Sequence, residues 1–200
     1  MAELIFYCGP MGSSKTAHAL MTNHQYKERG KNVWLIKPAI DTRENVQYLN
    51  GKAVKTLIRS RVGINAWADA INVMDRLVPP QDTDVIICDE AQFLTVQQVE
   101  DLKLLADKRD IQVYCYGLRS DFRSQLFEGS KRLFELASLV KDIPTICDCG
   151  NFAVINARVV NGSITTQGEQ VDIGGDEKYR AYCYACWKKY QNKGESDAEY

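Results

Sequence analysis

One stretch near the N-terminus, Cys8-Gly9-Pro10-Met11-Gly12-Ser13-Ser14-Lys15-Thr16, constrains the fold more than any other. An apolar run, Leu4-Ile5-Phe6-Tyr7-Cys8, precedes it, and a helical pattern from Lys15 to Arg29, ending at Gly30, follows it. Strand, glycine-bearing loop, lysine with serine or threonine, then helix is the order of elements in a nucleotide phosphate cradle. The chemistry explains the residue types. Backbone N–H groups of a tight loop and of a helix start point at anionic oxygens. Lys15 adds a positive charge for the outer phosphates, and Thr16 offers a hydroxyl ligand for Mg²⁺. The spacing fits G-x-x-x-x-G-K-[ST] except that Ser14 stands where the second glycine is expected. If that position needs positive φ, a non-glycine residue there costs about 1–2 kcal/mol. In the right-handed region serine costs little, and Gly12 is an additional glycine that relaxes the loop.

The 200 residues suffice for one domain, or one domain with a small appendage. At 45% hydrophobic, the chain supports a proper core. A net charge of −1 with no long basic run argues against non-specific binding to nucleic acid or to an anionic membrane. No apolar run approaches a membrane span, and the first residues lack a signal-peptide layout. The expectation is a soluble, cytoplasmic protein. In that compartment the seven cysteines read as core residues or metal ligands rather than disulfides.

Val33-Trp34-Leu35-Ile36, closed by Pro38, reads as a buried strand. With the first strand and helix it makes a βαβ unit and a parallel sheet. Asp41-Thr42-Arg43 and the polar stretch from Glu44 to Gly51 follow, where open α/β sheets bind ligands. A ligand contact (Arg43 on a phosphate, Asp41 on a hydroxyl) and a merely solvated loop fit this triplet equally well. Arg59, Arg61 and Val62-Gly63 precede a helical pattern from Ala66 to Leu77 carrying Trp67, Ile71 and Met74, ended by Pro79-Pro80.

Asp84-Val85-Ile86-Ile87-Cys88-Asp89-Glu90 is an apolar strand ending in two carboxylates, a Walker B-like pattern. In proteins with a phosphate loop such an Asp helps hold Mg²⁺, and the neighbouring carboxylate can activate the nucleophile. Thr95 with Gln98 forms a capping box for a helix running to about Lys108, leaving Ala91-Gln92-Phe93 as a short rigid loop. Ile111 to Gly117 is another strand. The loop after it carries Arg119, Asp121, Phe122, Arg123 and Phe127, whose two phenylalanines either stack on a nucleobase or plug the helix from Ser130 to Val140. Ile143 to Ile146 reads as the fifth core strand. Cys8, Cys88 and Cys115 lie in strands and read as small buried hydrophobes.

Past residue 146 the pattern changes. Cys147-Asp148-Cys149-Gly150 is followed by an alternating strand, Phe152 to Val160, the hairpin turn Asn161-Gly162, and Cys183-Tyr184-Ala185-Cys186. Two close cysteine pairs flanking a hairpin read as a tetrathiolate zinc site, and a β module this small needs such a staple. The first pair is the tighter C-x-C, so unliganded thiols remain the alternative. The division expected is a core over 1–146, a zinc-binding module over 147–192 and a disordered polar tail over 193–200.

Taken together these stretches resemble the thymidine kinase family, the P-loop type found in bacteria, phages and animal cytosol. The carriers are Gly9-Pro10-Met11 with Lys15-Thr16, Asp41-Thr42-Arg43, Asp89-Glu90-Ala91-Gln92-Phe93, Gly117-Leu118-Arg119 with Asp121-Phe122, Gly129-Ser130, the cysteine pairs, and Val171-Asp172-Ile173-Gly174-Gly175 leading to Tyr179. Ser14 and the C-x-C pair depart from the usual pattern. The resemblance implies a P-loop NTPase-like parallel sheet flanked by helices, plus a small zinc-binding β domain with a lasso loop that closes over the nucleoside. It implies ATP, Mg²⁺ and structural Zn²⁺ as cofactors, thymidine as acceptor, dTTP as feedback inhibitor, and a homotetramer without nucleic-acid or membrane partners. It also implies roles. Gly9, Pro10, Met11, Gly12, Ser13, Ser14 and Lys15 hold the ATP phosphates; Thr16 and Asp89 organise Mg²⁺; Gln92 belongs to the same nucleotide site. Glu90 is the general base for the 5′-hydroxyl. Asp41 lies near the sugar and Arg43 near phosphate, and Thr42 between them belongs to the nucleotide-binding set. Phe93, Leu118, Phe122 and Phe127 wall the base. Gln170, Val171, Asp172, Ile173 and Gly174 supply lasso contacts, Tyr179 helps seal the site, and Cys147, Cys149, Cys183 and Cys186 hold zinc. The rival readings are a P-loop kinase of another deoxynucleoside and a zinc-ribbon nucleic-acid-binding ATPase.

Overall fold

The computed structural model describes residues 2–160, 163–168, 170 and 179–196. An eight-stranded sheet forms its centre, in the order β3-β4-β5-β2-β6-β7-β1-β8, with β1 at Leu4–Cys8, β2 at Val33–Pro38, β3 at Val46–Leu49, β4 at Lys52–Arg59, β5 at Asn65–Ile71, β6 at Val85–Cys88, β7 at Gln112–Gly117 and β8 at Leu139–Asp142. From β5 to β8 every neighbouring pair is parallel, while β3-β4 and β4-β5 are antiparallel. The crossover helix α1, Lys15–Glu28, therefore carries the chain from β1 over two strands to β2. This is the expected parallel α/β sheet.

Alternation along the central strands sends apolar side chains to both faces, as a sheet covered on both sides requires. On one face Leu35, Ile58, Ile87 and Tyr116 pack with Leu20 of α1. On the other, Phe6, Ile36, Ile86 and Val113 pack with Val99 and Leu102 of α2, Val96–Arg109, and with Leu133 of α3, Glu128–Leu136. Helix α2 starts at the expected box: the Thr95 side chain accepts from the Gln98 backbone, and the Gln98 side chain accepts from the Thr95 backbone. Cys8, Cys88 and Cys115 are buried in strands, as expected.

Three expectations are corrected. Residues 66–77 are not helical: Asn65–Ile71 is strand β5, paired on both edges, followed by a turn in which Met74 is exposed. The alanines at 66, 68 and 70 favour a helix in isolation, but ladder pairing between β4 and β2 overrides that preference. The polar stretch after Arg43 is not all loop. Val46–Leu49 and Lys52–Arg59 form a hairpin whose turn, Asn50-Gly51, takes positive φ at both residues. The helix expected to reach Val140 stops at Leu136, and the last core strand is Leu139–Asp142 rather than Ile143 to Ile146. It fills the edge beside β1, with Ile5 paired to Leu139 and Cys8 to Asp142.

The small module holds β9, Thr145–Ile146, paired with β10, Phe152–Ala153. Beside it lies the sheet β12-β11-β13, made of Ser163–Thr165, Ile155–Val160 and Tyr179–Tyr182. Val160 pairs with Ser163, so β11 and β12 are joined across two residues; the turn Asn161-Gly162 itself lies outside the described residues. A separate cluster of Ala153, Ile155, Ala157, Tyr182, Trp187 and two of the cysteines fills the module. Helix α4, Tyr184–Ser196, runs past residue 192, where the sequence suggested a disordered tail. Among the described residues no helix is long and apolar enough to cross a membrane.

Candidate active site

The parallel strands end on one side of the sheet, and their outgoing loops enclose a cavity of about 640 Å³. The loop after β1 supplies Met11, Gly12, Ser14, Lys15 and Thr16 to its lining. Gly12 (φ 78) and Ser14 (φ 62) both adopt left-handed backbone. The strained alternative therefore applies at Ser14, which begins α1 without a capping hydrogen bond from its side chain. Lys15 Nζ donates to the Pro10 carbonyl at 2.7 Å and to Ser13 Oγ at 3.2 Å, which folds its charge across the loop. Burial lowers its pKa to about 8, against the pull of Glu90 and Asp89.

The turn after β6 presents the two carboxylates differently. Asp89 is buried, and burial together with the adjacent Glu90 raises its pKa to about 7, opposed by Lys37 and by a hydrogen bond from the Thr16 side chain. Glu90 takes left-handed backbone (φ 53, ψ 36), and its carboxylate is gripped from both sides. Arg43 donates to Oε1 at 2.6 Å and Gln92 Nε2 to Oε2 at 2.5 Å. The other end of Gln92 accepts the Leu118 N–H at 2.9 Å, and the Leu118 carbonyl accepts from Ser130 Oγ at 2.6 Å. Gly117 leaves room for this: a Cβ there would lie 2.8 Å from Gln92 Oε1 and 3.0 Å from the Gln92 backbone nitrogen.

Past β2, Asp41 is buried between two cations. Lys37 Nζ lies 2.9 Å from Oδ2, and the Arg43 guanidinium bridges both oxygens at 2.7 and 2.8 Å. Burial alone would raise the Asp41 pKa, but Arg43 and Lys37 together hold it near 2. Arg43 thus joins Asp41 to Glu90, and Thr42 lines the same cavity. Gly9, Pro10 and Ser13 complete the phosphate loop behind the lining residues, with the Ser13 N–H donated to the Pro10 carbonyl at 3.3 Å.

The aromatic wall is assembled. Phe93 and Phe127 meet edge to face at 5.7 Å, Phe122 is buried with the Arg123 and Arg158 guanidinium groups over its ring, and all three line the cavity with Leu118. From the small module Gln170 and Tyr179 reach the lining, and Gln170 Nε2 donates to Asp121 at 3.0 Å. Val171, Asp172, Ile173 and Gly174 lie outside the described residues. Lys37 and Asn156 are among the contributors not anticipated. Lys37 had a signal, a lysine interrupting the apolar run of a central strand. Asn156, a residue of the small module on the cavity wall, had none.

In the small module the sulfurs of Cys147, Cys149, Cys183 and Cys186 all lie within 4.8 Å of one another. A tetrahedron with zinc–sulfur bonds of about 2.3 Å has edges of about 3.8 Å, so the four thiols fit that ion. The Cys186 backbone N–H also donates to Cys183 Sγ at 3.5 Å.

A glycine-bearing loop with Lys15, a clamped glutamate and a four-cysteine cluster in one chain invite comparison with known proteins. A family profile described as thymidine kinase matches residues 2–187. The chain belongs to the thymidine kinase family. It is 40% identical to the thymidine kinase of Legionella pneumophila over 94% of this chain and 90% of that one. It is 37% identical to the thymidine kinase of Enterobacteria phage T4 over 96% and 99%. The thymidine kinase of Streptococcus gordonii is 38% identical over 92% and 94%. These matches span the phosphate loop, the clamped glutamate and the cysteine pairs alike, so the thymidine kinase resemblance extends to nearly the whole chain.

Proposed function

We propose that the protein is a thymidine kinase that transfers the γ-phosphate of ATP to the 5′-hydroxyl of thymidine, giving dTMP. The observation that carries this reading is the double grip of Arg43 and Gln92 on Glu90, at the mouth of a cavity shared by the phosphate loop and an aromatic wall. A carboxylate fixed in this way is suited to accept the hydroxyl proton as phosphoryl transfer proceeds. Lys15 and backbone amides of the loop before it bind the ATP phosphates, apart from the Gly9, Met11 and Ser13 N–H groups, which the protein itself engages. Thr16 and Asp89 hold Mg²⁺, which when bound supplies charge neutralisation at the phosphates; the buried Asp89 carboxyl fits a cation, since burial otherwise disfavours its charge. Arg43, oriented by Asp41, holds Glu90 and adds positive charge on the phosphate side of the site. The four cysteines hold Zn²⁺ in a closed, structural site. The assembly is a cytoplasmic homotetramer, inhibited by dTTP.

Phe122 and its neighbours offer a flat wall to a pyrimidine, and hydrogen-bonding groups at the base edge would select among the pyrimidines. Thymine and uracil present acceptor–donor–acceptor, and cytosine does not. A mispaired cytosine leaves buried groups unsatisfied at roughly 1–3 kcal/mol each, whereas the 5-methyl group contributes only about 0.8 kcal/mol. The test is ATP-dependent phosphorylation of labelled nucleosides. Thymidine is expected first, deoxyuridine close behind and deoxycytidine far below; efficient phosphorylation of deoxycytidine overturns the reading in favour of a broader kinase. Elemental analysis should find about one zinc per chain, as a single tetrahedral site holds, and metal content unchanged in Cys183→Ser would remove the zinc assignment.

A further inference from the structure

Asn156 lies on β11, the middle strand of the small module's sheet. Its neighbours Ile155 and Ala157 pack into the module's own core with Cys147 and Cys183. Side chains alternate along a strand, so Asn156 points the other way, into the kinase core, where it is 3% exposed. There its amide makes two contacts. Oδ1 accepts the Met11 N–H of the phosphate loop at 2.6 Å, and Nδ2 donates to the Ser120 carbonyl, in the loop after β7, at 3.1 Å. The partners fix the orientation of the amide, because a backbone N–H only donates and a carbonyl only accepts; the flipped amide would make neither bond.

We infer that Asn156 is a positioning residue that couples the ATP half of the site to the nucleoside half. Met11 precedes a loop with left-handed backbone at Gly12 and at Ser14. Ser14 is not a glycine, so such backbone there persists only where its surroundings fix it, and Asn156 fixes the outer end of this loop from a different module. The same side chain holds Ser120, two residues before the buried Phe122 of the base wall. Ordering either loop therefore orients Asn156 for the other, and each substrate favours binding of its partner. This inference rests on the proposed reaction for what the two halves bind, but not for the tether itself.

Three measurements test it. Asn156→Ala deletes both hydrogen bonds, and Asn156→Leu deletes them while keeping the bulk. A fluorescent ATP analogue is titrated with and without thymidine, and KM for each substrate is measured alongside kcat. The expected result in both variants is KM raised about tenfold for ATP and for thymidine, the loss of roughly one buried hydrogen bond at each. The tightening of the analogue by thymidine should fall to less than twofold. Both variants with lowered melting temperature but KM values and coupling within twofold of the unaltered protein would assign Asn156 a structural role only and overturn the inference. Hydrogen exchange on the unaltered protein reads the tether directly: a Met11 amide protected at least tenfold supports it, and an unprotected one overturns it even if neither variant folds. If the unaltered protein fails to phosphorylate thymidine, the proposed reaction falls, while analogue titration and exchange still decide the tether.

Discussion

The loop after β1 and the turn after β6 solve the same backbone problem with opposite consequences. Each leaves a parallel strand at the active edge of the sheet and enters a helical turn through a left-handed residue that is not glycine: Ser14 at φ 62, ψ 23 and Glu90 at φ 53, ψ 36. For residues other than glycine, asparagine and aspartate, such backbone costs about 1–2 kcal/mol. At Ser14 the side chain is exposed and makes no capping hydrogen bond. At Glu90 the same backbone carries a carboxylate that Arg43 and Gln92 hold at the cavity. The strained residue carries a clamped carboxylate at one turn and an exposed hydroxyl at the other. Identical backbone geometry is thus no guide to functional weight; what the side chain touches is.

The contrast is broken most directly at Glu90. Glu90→Gln keeps the shape, the backbone conformation and one acceptor, and removes the basicity. Loss of general-base catalysis typically lowers the rate 10²–10⁴-fold. The expected result is a fall in kcat of that size with thymidine affinity retained by calorimetry. Turnover near that of the unaltered protein would show that Glu90 tolerates its strain for no catalytic reason.

Gln92 comes next. Its substitution by alanine frees one oxygen of Glu90 and leaves the Leu118 N–H without its acceptor. Leaving a buried group unsatisfied costs about 1–3 kcal/mol, so kcat/KM should drop about 10–100-fold, smaller than the Glu90→Gln effect. Rescue by Gln92→Glu is not expected, because a carboxylate would face that of Glu90. A kcat/KM within twofold of normal in Gln92→Ala would mean that the carboxylate is oriented by Arg43 alone.

Both turns were visible in the sequence because their chemistry is contiguous. Lys15-Thr16 and Asp89-Glu90 are neighbours in the chain, each preceded by an apolar strand. The cysteine site was visible for a related reason, since two short-range pairs flank one hairpin. What stayed hidden depends on contacts between distant segments. Gln92 was placed with the nucleotide by the family resemblance, but its bond to Leu118 spans 26 residues. Asn156 meets Met11 across 145 residues, and no local pattern marks it. Strand β5 was misread because Trp67, Ile71 and Met74 fall at helical spacing; pairing with β4 and β2, invisible locally, decides its conformation. The β3-β4 hairpin was missed despite a local signal, Asn50-Gly51, because the polar residues around it read as loop.

The smallest effects belong to Ser14, and they sharpen the comparison because two substitutions separate backbone from side chain. Ser14→Gly relieves the left-handed conformation and removes only a side chain without a capping role. The unfolded chain gains some freedom from the new glycine, which offsets part of the relief. The variant should be more stable by at most about 1–2 kcal/mol in denaturant titration, and its ATP affinity should tighten by about tenfold or less. Ser14→Ala keeps the backbone problem and deletes the hydroxyl. If the serine side chain contributes nothing to folding, stability should move by less than about 0.5 kcal/mol, the usual range for an exposed substitution away from special features. A large loss in Ser14→Ala would reveal a role for the hydroxyl and make the two turns alike after all. A rise of several orders of magnitude in the activity of Ser14→Gly would instead show that the natural loop is badly formed, and that strain at this turn is as consequential as strain at Glu90.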